Sequence, residues 1–299
     1  MTPTVPKKAL VGFDGREASR YAAQAVCEMA RHFGTQYEVL HVIDLPDLTE
    51  VGGRPDLMLQ AEVEIETRTA EVLSGQLEEL DPALTEHFQV RIGRPVRVLL
   101  EHARNSSADT IVIGPHEKRG IFDLGSTTRG IVSGARCNLW VQPTAPRPIK
   151  RILVAFDTSE ESRVALTAAR DMAKDLEASV TVLHVFQAPD LAYAASPGYP
   201  MAGPVYAVDD VRKIAKEQFE SSLGSFDWMG VDHEPRFVEG SPATIILGEQ
   251  EGHDLIAMGT HGRTGLMAAL LGGVAHSVIR EARIPVYATR HPSRTWQVG

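Results

Sequence analysis

Lys8-Ala-Leu-Val-Gly-Phe-Asp14 and Arg151-Ile-Leu-Val-Ala-Phe-Asp157 read as two copies of one segment. Each is a short apolar run closed by an aspartate, the pattern of a buried strand whose last residue reaches the edge of a sheet. The correspondence continues without a gap: Glu17, Ser19 and Arg20 answer Glu160, Ser162 and Arg163, and Leu40-His41-Val42 answers Leu183-His184-Val185. After a small length change, Gly93-Arg-Pro95 answers Gly240-Ser-Pro242. Asp109-Thr-Ile-Val-Ile-Gly114-Pro-His116 then answers Asp254-Leu-Ile-Ala-Met-Gly259-Thr-His261, and Ala135-Arg136 answers Ala282-Arg283. The chain is a duplication.

Between the copies lies Gln142-Pro-Thr-Ala-Pro-Arg-Pro148, where three prolines in six residues favour an extended connector. The boundary is expected near Pro146, giving domains at 1–145 and 146–299. A chain of 299 residues suits two domains of this size, each large enough for its own core.

Within the second copy, apolar β-rich runs at Ile152 to Phe156, Val180 to Phe186, Glu234 to Val238, Leu255 to Met258 and Val286 to Thr289 predict five strands. Leu166, Ala169, Met172, Ala173 and Leu176 keep helical spacing between them, as do Val208, Val211, Ile214, Ala215, Phe219 and Leu223. Alternating strands and helices predict an α/β fold of two tandem doubly wound domains, each a five-stranded parallel sheet with helices on both faces. A ligand is then expected at the carboxyl ends of the strands. The segment from Ala188 to Val205, rich in Pro and Gly with Tyr193 and Tyr199, reads as an irregular excursion over that end, a lid or a partner surface.

Composition excludes several classes. The formal charge of −9, with no dense Lys/Arg block, disfavours nucleic acid and anionic membranes as partners. No apolar run is long enough to span a bilayer, and the first residues lack a signal-peptide core, so a cytoplasmic location is expected. Cys27 and Cys137 are too few for a disulfide framework or a thiolate metal cage and read as buried thiols.

Asp157 should stand at the end of the first strand of its copy, where a doubly wound sheet receives a ligand; capping of the next helix with Thr158 and Ser159 is the competing role, and the two are compatible. Gly259-Thr-His-Gly262-Arg-Thr-Gly-Leu-Met-Ala-Ala-Leu-Leu-Gly272-Gly273-Val274 follows the fourth strand, with Met258 just before it. Glycines let backbone approach an anion, and a helix beginning at Gly272-Gly273 would offer free N–H groups at its positive end. A P-loop is excluded because Ala257 stands five positions before Gly262, where that motif needs glycine. A dinucleotide fingerprint is excluded because Asp14-Gly-Arg-Glu and Asp157-Thr-Ser-Glu follow the first strands.

These residues together resemble the universal stress protein family, whose pattern is a first-strand Asp, a Leu-His-Val second strand, and Gly-x-x-Gly followed nine residues later by Gly-Ser/Thr. The resemblance covers nearly the whole chain, twice. It implies an adenine nucleotide alpha hydrolase-like fold and ATP, or ADP or AMP, bound with Mg²⁺ through the phosphates. By resemblance, Asp157 and the Val185 backbone would recognise adenine, with Met258 beside them. The backbone at Gly259, His261, Gly262, Gly272, Gly273 and Val274 would hold ribose and phosphates. Gly273 departs from the Ser/Thr of the pattern; the lost hydroxyl contact costs about 0.5–1.5 kcal/mol, or threefold to tenfold in affinity.

The first copy departs further. Glu117 takes the second-glycine position, placing a carboxylate where phosphate would lie, and Gly125-Ser126 stands two residues nearer Gly114 than Gly272-Gly273 does to Gly259. Lys118, Arg119 and Ser126 remain as anion contacts. This half is expected to be mainly structural, with Asp14 and Val42 keeping the adenine side only. His41 and His184 read as core or strand-end residues; His116, His253, Asp254 and His261 lack partners for a triad or a metal. The expected function is a regulatory, stress-response ATP-binding protein with nucleotide mainly in the second domain. The alternatives are a slow ATP-hydrolysing enzyme and a protein-binding scaffold that has lost nucleotide. By resemblance the last strands, Leu139 to Gln142 and Val286 to Thr289, would pair within the chain, which leaves a homodimer of chains and an unknown protein partner open.

Overall fold

The structure is a computed structural model that describes residues 5–45, 55–115, 117–118, 121–122, 125–188, 208–260 and 272–291. The first copy runs β1 (Lys8–Gly12), α1 (Glu17–Phe33), β2 (Gln36–Ile43), α2 (Pro55–Glu78), a short α3 (Ala83–Glu86), β3 (Phe88–Ile92), α4 (Pro95–Asn105) and β4 (Thr110–Ile113). A two-residue hairpin, β5 (Glu117–Lys118) with β6 (Ile121–Phe122), precedes α5 (Ser126–Gly134) and β7 (Asn138–Val141). The second copy runs β8 (Arg151–Ala155), α6 (Glu160–Leu176), β9 (Ser179–Phe186), α7 (Val208–Gly224), β10 (His233–Glu239), α8 (Pro242–Gly248), β11 (Leu255–Gly259), α9 (Gly273–Glu281) and β12 (Val286–Thr289).

All five strands expected in the second copy are present within a residue or two at each end. The excursion from Ala188 to Val205 lies, beyond Ala188, outside the described residues.

The strands form one ten-stranded sheet in the order β10-β9-β8-β11-β12-β7-β4-β1-β2-β3. Within this sheet every pairing inside a copy is parallel, β5 and β6 pairing only with each other, and the first strand sits between the second and the fourth, which creates the switch point where a ligand is expected. The copies meet where β12 pairs antiparallel with β7, Val286 opposite Val141 and Ala288 opposite Leu139. The strand directions therefore reverse at that seam, and the carboxyl ends of the two halves lie at opposite edges of the sheet.

Alternate residues of each strand point to opposite faces, so the sheet carries two cores. Ala9, Val11, Ile152 and Val154 pack with α1, α2, α6 and α7 on one face; Leu10 and Leu153 pack with α4, α5, α8 and α9 on the other. Both cores contain residues of both copies, so the apolar interior is continuous across the seam.

The aspartates shared by the copies before β4 and β11 fasten strand starts together. Asp109 accepts the backbone N–H groups of Lys7 (3.0 Å) and Lys8 (2.8 Å), and Asp254 those of Lys150 and Arg151, both at 2.9 Å. Cys27 and Cys137 are buried thiols. Burial, with Asp81 nearby, pushes the Cys27 thiol up to about 11.

Candidate functional site

The site is built where β8, β9 and β11 end side by side. Ala155 pairs with Leu183 on one side and Met258 on the other, so the residues that follow, Asp157, Val185 and Gly259, converge at one edge of the sheet. Each belongs to a different segment of the chain, and only the parallel crossovers bring them together.

Asp157 opens a tight turn. Its Oδ1 accepts the backbone N–H of Ser159 at 3.1 Å and also the Ser159 hydroxyl. Ser159 in turn is the N-cap of α6, its hydroxyl accepting the N–H of Ser162 at 3.2 Å. The capping role open to Asp157 in the sequence thus exists two residues on: aspartate orders the turn and serine caps the helix. Asp14 makes the same turn, accepting the N–H of Arg16 at 3.0 Å. The residue between is left-handed in both copies, Gly15 at φ +78° and Thr158 at φ +69°.

Gly259 has a packing reason to be glycine. A Cβ there would fall 2.9 Å from the backbone carbon of Glu161, and at its counterpart Gly114 only 2.2 Å from the Ala18 oxygen. In both halves the helix after the first strand lies directly against the end of the fourth. Thr260, next along, donates its N–H to Thr289 and accepts that of Gly272 at 2.9 Å, which fixes the start of α9 beside the end of β11.

Gly272 is the N-cap of α9, with no side-chain cap, so Gly273 and Val274 begin the helix with N–H groups that have no partner in its own ladder. Among the described residues nothing lies within 4 Å of where a Gly273 Cβ would stand, and Gly273 and Val274 are exposed. The helix therefore begins with its positive end free of any side-chain cap.

In the first copy the corresponding position is a cleft of about 670 Å³, lined among others by Asp14, His41, Val42, Gly114, Ser126 and Thr128. Gly125 is the N-cap of α5, again without a side-chain cap. The half expected to be mainly structural therefore retains a recess at the edge of β1, β2 and β4.

A model described as the universal stress protein family matches residues 6–143 and again residues 148–290. The chain belongs to the universal stress protein family. Universal stress protein YxiE of Bacillus subtilis (strain 168) is 31% identical over 146 residues, 47% of this chain and 98% of that one. Universal stress protein Mb2028c of Mycobacterium bovis is 25% identical over 221 residues, 70% of each chain. A crystal structure of a universal stress protein from Archaeoglobus fulgidus DSM 4304 matches 95% of this chain and 98% of its own with a TM-score of 0.66, at 20% identity, a likeness of fold.

Of the nucleotide-holding positions that the family pattern implies, Asp157, Val185, Met258, Gly259, Gly272, Gly273 and Val274 lie at one end of the second half; His261 and Gly262 fall outside the described residues. Glu117 lies in the backbone of the β5–β6 hairpin. Among the described residues no group of three His, Cys, Asp or Glu side chains is placed to hold a metal ion, and no helix is long and apolar enough to cross a membrane.

The sequence alone leaves the Leu-His-Val histidines without a task, and the structure supplies one. His184 Nδ1 lies 2.8 Å from the Phe156 carbonyl oxygen, and His41 Nδ1 lies 2.7 Å from that of Phe13. The signal available in the sequence is that both copies carry the same histidine in the same register. His253 instead bonds the Glu249 carbonyl at 2.8 Å and belongs to the local turn.

Proposed function

We propose that this chain binds adenine nucleotide, ATP or else ADP or AMP with Mg²⁺ carried on the phosphates, chiefly in its second domain, and that occupancy serves a regulatory role in a stress response. The domains are taken as 1–145 and 146–299. The observation that carries the reading is the convergence of the Asp157 turn, the Val185 backbone, the Gly259 strand end and the uncapped Gly272-Gly273 start of α9 at one edge of the sheet. A carboxylate suits the adenosine side of a nucleotide, and a helix start without a side-chain cap suits its phosphates. The residues fit the group: the first N–H groups of α9 have no partner in its own ladder, and among the described residues nothing stands within 4 Å of a Cβ at Gly273.

Titration calorimetry of nucleotide-stripped protein with ATP and Mg²⁺ tests the reading. One saturable site per chain, lost in Asp157→Ala and retained in Asp14→Ala, is the expected result. No binding at millimolar ATP would sink it and leave a protein-binding scaffold as the better account. Magnesium-dependent release of phosphate abolished by Asp157→Ala would make the chain a slow ATPase.

A further inference from the structure

We infer that His184 is a positioning residue for the nucleotide pocket: by clamping the Phe156 carbonyl it sets where the Asp157 carboxylate stands. The inference rests on the adenine-nucleotide reading above and adds a residue to it.

The ladder between β8 and β11 ends at Ala155, opposite Met258. The next peptide is held from the other side. Phe156 donates its N–H to the Leu183 carbonyl at 2.9 Å, and its own carbonyl oxygen lies 2.8 Å from His184 Nδ1. A carbonyl oxygen only accepts, so Nδ1 carries the proton of this bond. Both polar atoms of Phe156 are thus tied to adjacent residues of β9, and Asp157 is the next residue along.

The ring that makes this bond is itself immobilised. His184 is 4% exposed, lies parallel to the Phe237 ring with centroids 5.2 Å apart, and has the Phe219 ring at 5.4 Å. Phe237 stands directly opposite it on β10, and Phe219 comes from α7. Three separate elements therefore fix one donor, which fixes one carbonyl. The bonds from Ser159 tie the Asp157 carboxylate to its own turn, and the histidine ties that turn to the sheet; preorganisation of this kind raises affinity by removing the turn's freedom beforehand.

The device is built twice. His41 meets the Phe13 carbonyl at 2.7 Å while Phe13 donates to Leu40 at 3.0 Å, so the arrangement recurs even though the glycine loops of the two copies differ. A histidine that only filled core volume would have no reason to face the same carbonyl in both halves.

The test separates positioning from packing. An asparagine amide nitrogen reaches about where Nδ1 stands and a glutamine nitrogen about where Nε2 stands, so His184→Asn keeps the clamp and His184→Gln loses it. Calorimetry with ATP–Mg²⁺ and with AMP is expected to show His184→Gln and His184→Leu weaker for both by the same factor, about tenfold, with His184→Asn within about threefold of wild type. The equal factor follows because Asp157 serves the adenosine part common to both ligands. His41→Leu should leave this binding unchanged.

A folded His184→Leu that binds as wild type does overturns the inference. So does His184→Asn as weak as His184→Gln, or a loss confined to ATP. If wild type binds and only these substitutions behave otherwise, the nucleotide reading stands; a wild type that binds neither ligand overturns both.

Discussion

Trp140 and Tyr287 occupy equivalent positions in the two copies and stand directly opposite each other where β7 meets β12. Their ring centroids are 5.7 Å apart at 46°. A pseudo-twofold axis therefore passes between them, as it would between identical residues of a symmetric dimer. The symmetry is broken by Asn138. Its Nδ2 donates to the Tyr287 hydroxyl at 2.9 Å, and its Oδ1 accepts the Arg290 N–H at 3.0 Å, while the equivalent residue in the second copy is Pro285.

Asn138→Ala removes one hydrogen bond from the buried Tyr287 hydroxyl, which Thr110 also meets, and the side-chain acceptor of the buried Arg290 N–H. The expected loss is about 1–2 kcal/mol. Because both cores run across the seam, fluorescence and circular dichroism followed through urea should lose the two halves in a single transition shifted to lower denaturant; separate transitions would show that the halves stand independently.

Thr158 holds φ +69° where its counterpart Gly15 holds φ +78°. A β-branched residue is strained there, so Thr158→Gly should stabilise the protein by about 1 kcal/mol. Gly15→Ala should do the opposite, since a Cβ would lie 2.8 Å from Leu73 Cδ2 and 2.6 Å from Gln76 Oε1. Thermal midpoints of the two variants, moving in opposite directions, are the check.

Gly273→Ser places a hydroxyl at the first residue of α9, where nothing among the described residues lies within 4 Å. If phosphate sits there, affinity for ATP should rise about threefold to tenfold. Calorimetry against wild type measures it, and AMP, with fewer phosphate oxygens to offer, should gain less.

Glu38 is pulled upward by burial, yet His102 at 2.6 Å and Lys8 at 3.5 Å together hold its carboxyl below the usual carboxylate range. A group whose pKa is depressed by folding contributes stability while it is ionised in the unfolded chain and loses it on protonation. The stability difference between wild type and Glu38→Gln should therefore be full above about pH 5, amount to at most about 1 kcal/mol, and shrink as the pH falls through the depressed value. Urea midpoints of the pair at pH 3, 4, 5 and 6 would show it.

Much of the architecture is readable because the two copies each repeat the same short apolar runs, and a strand buried on both faces has few alternatives. The β7–β12 seam follows from the family resemblance rather than from the residues, since Leu139 and Val286 look like any buried strand residues. Asn138 and Arg290 are not readable at all: self-comparison finds only what the copies share, and this contact exists because they differ. Gly259 reads as a ligand glycine, and its contact with Glu161 gives it a second reason that depends on how a helix lies over a strand end. The histidine clamp escapes because the bond runs between neighbouring strands, from His184 to Phe156, which lie 28 positions apart in the chain.

The seam has one more effect. In a dimer of identical subunits every substitution appears on both sides of the axis, so a change that suits one side must also be tolerated on the other. Here the partner is covalently attached and separately encoded. Asn138 can bond the Arg290 N–H without a second asparagine meeting a second arginine, and Glu117 can enter one glycine loop while Gly262 remains in the other. Attachment also makes the association independent of protein concentration, so dilution, which would separate a pair of unlinked subunits, leaves these halves together.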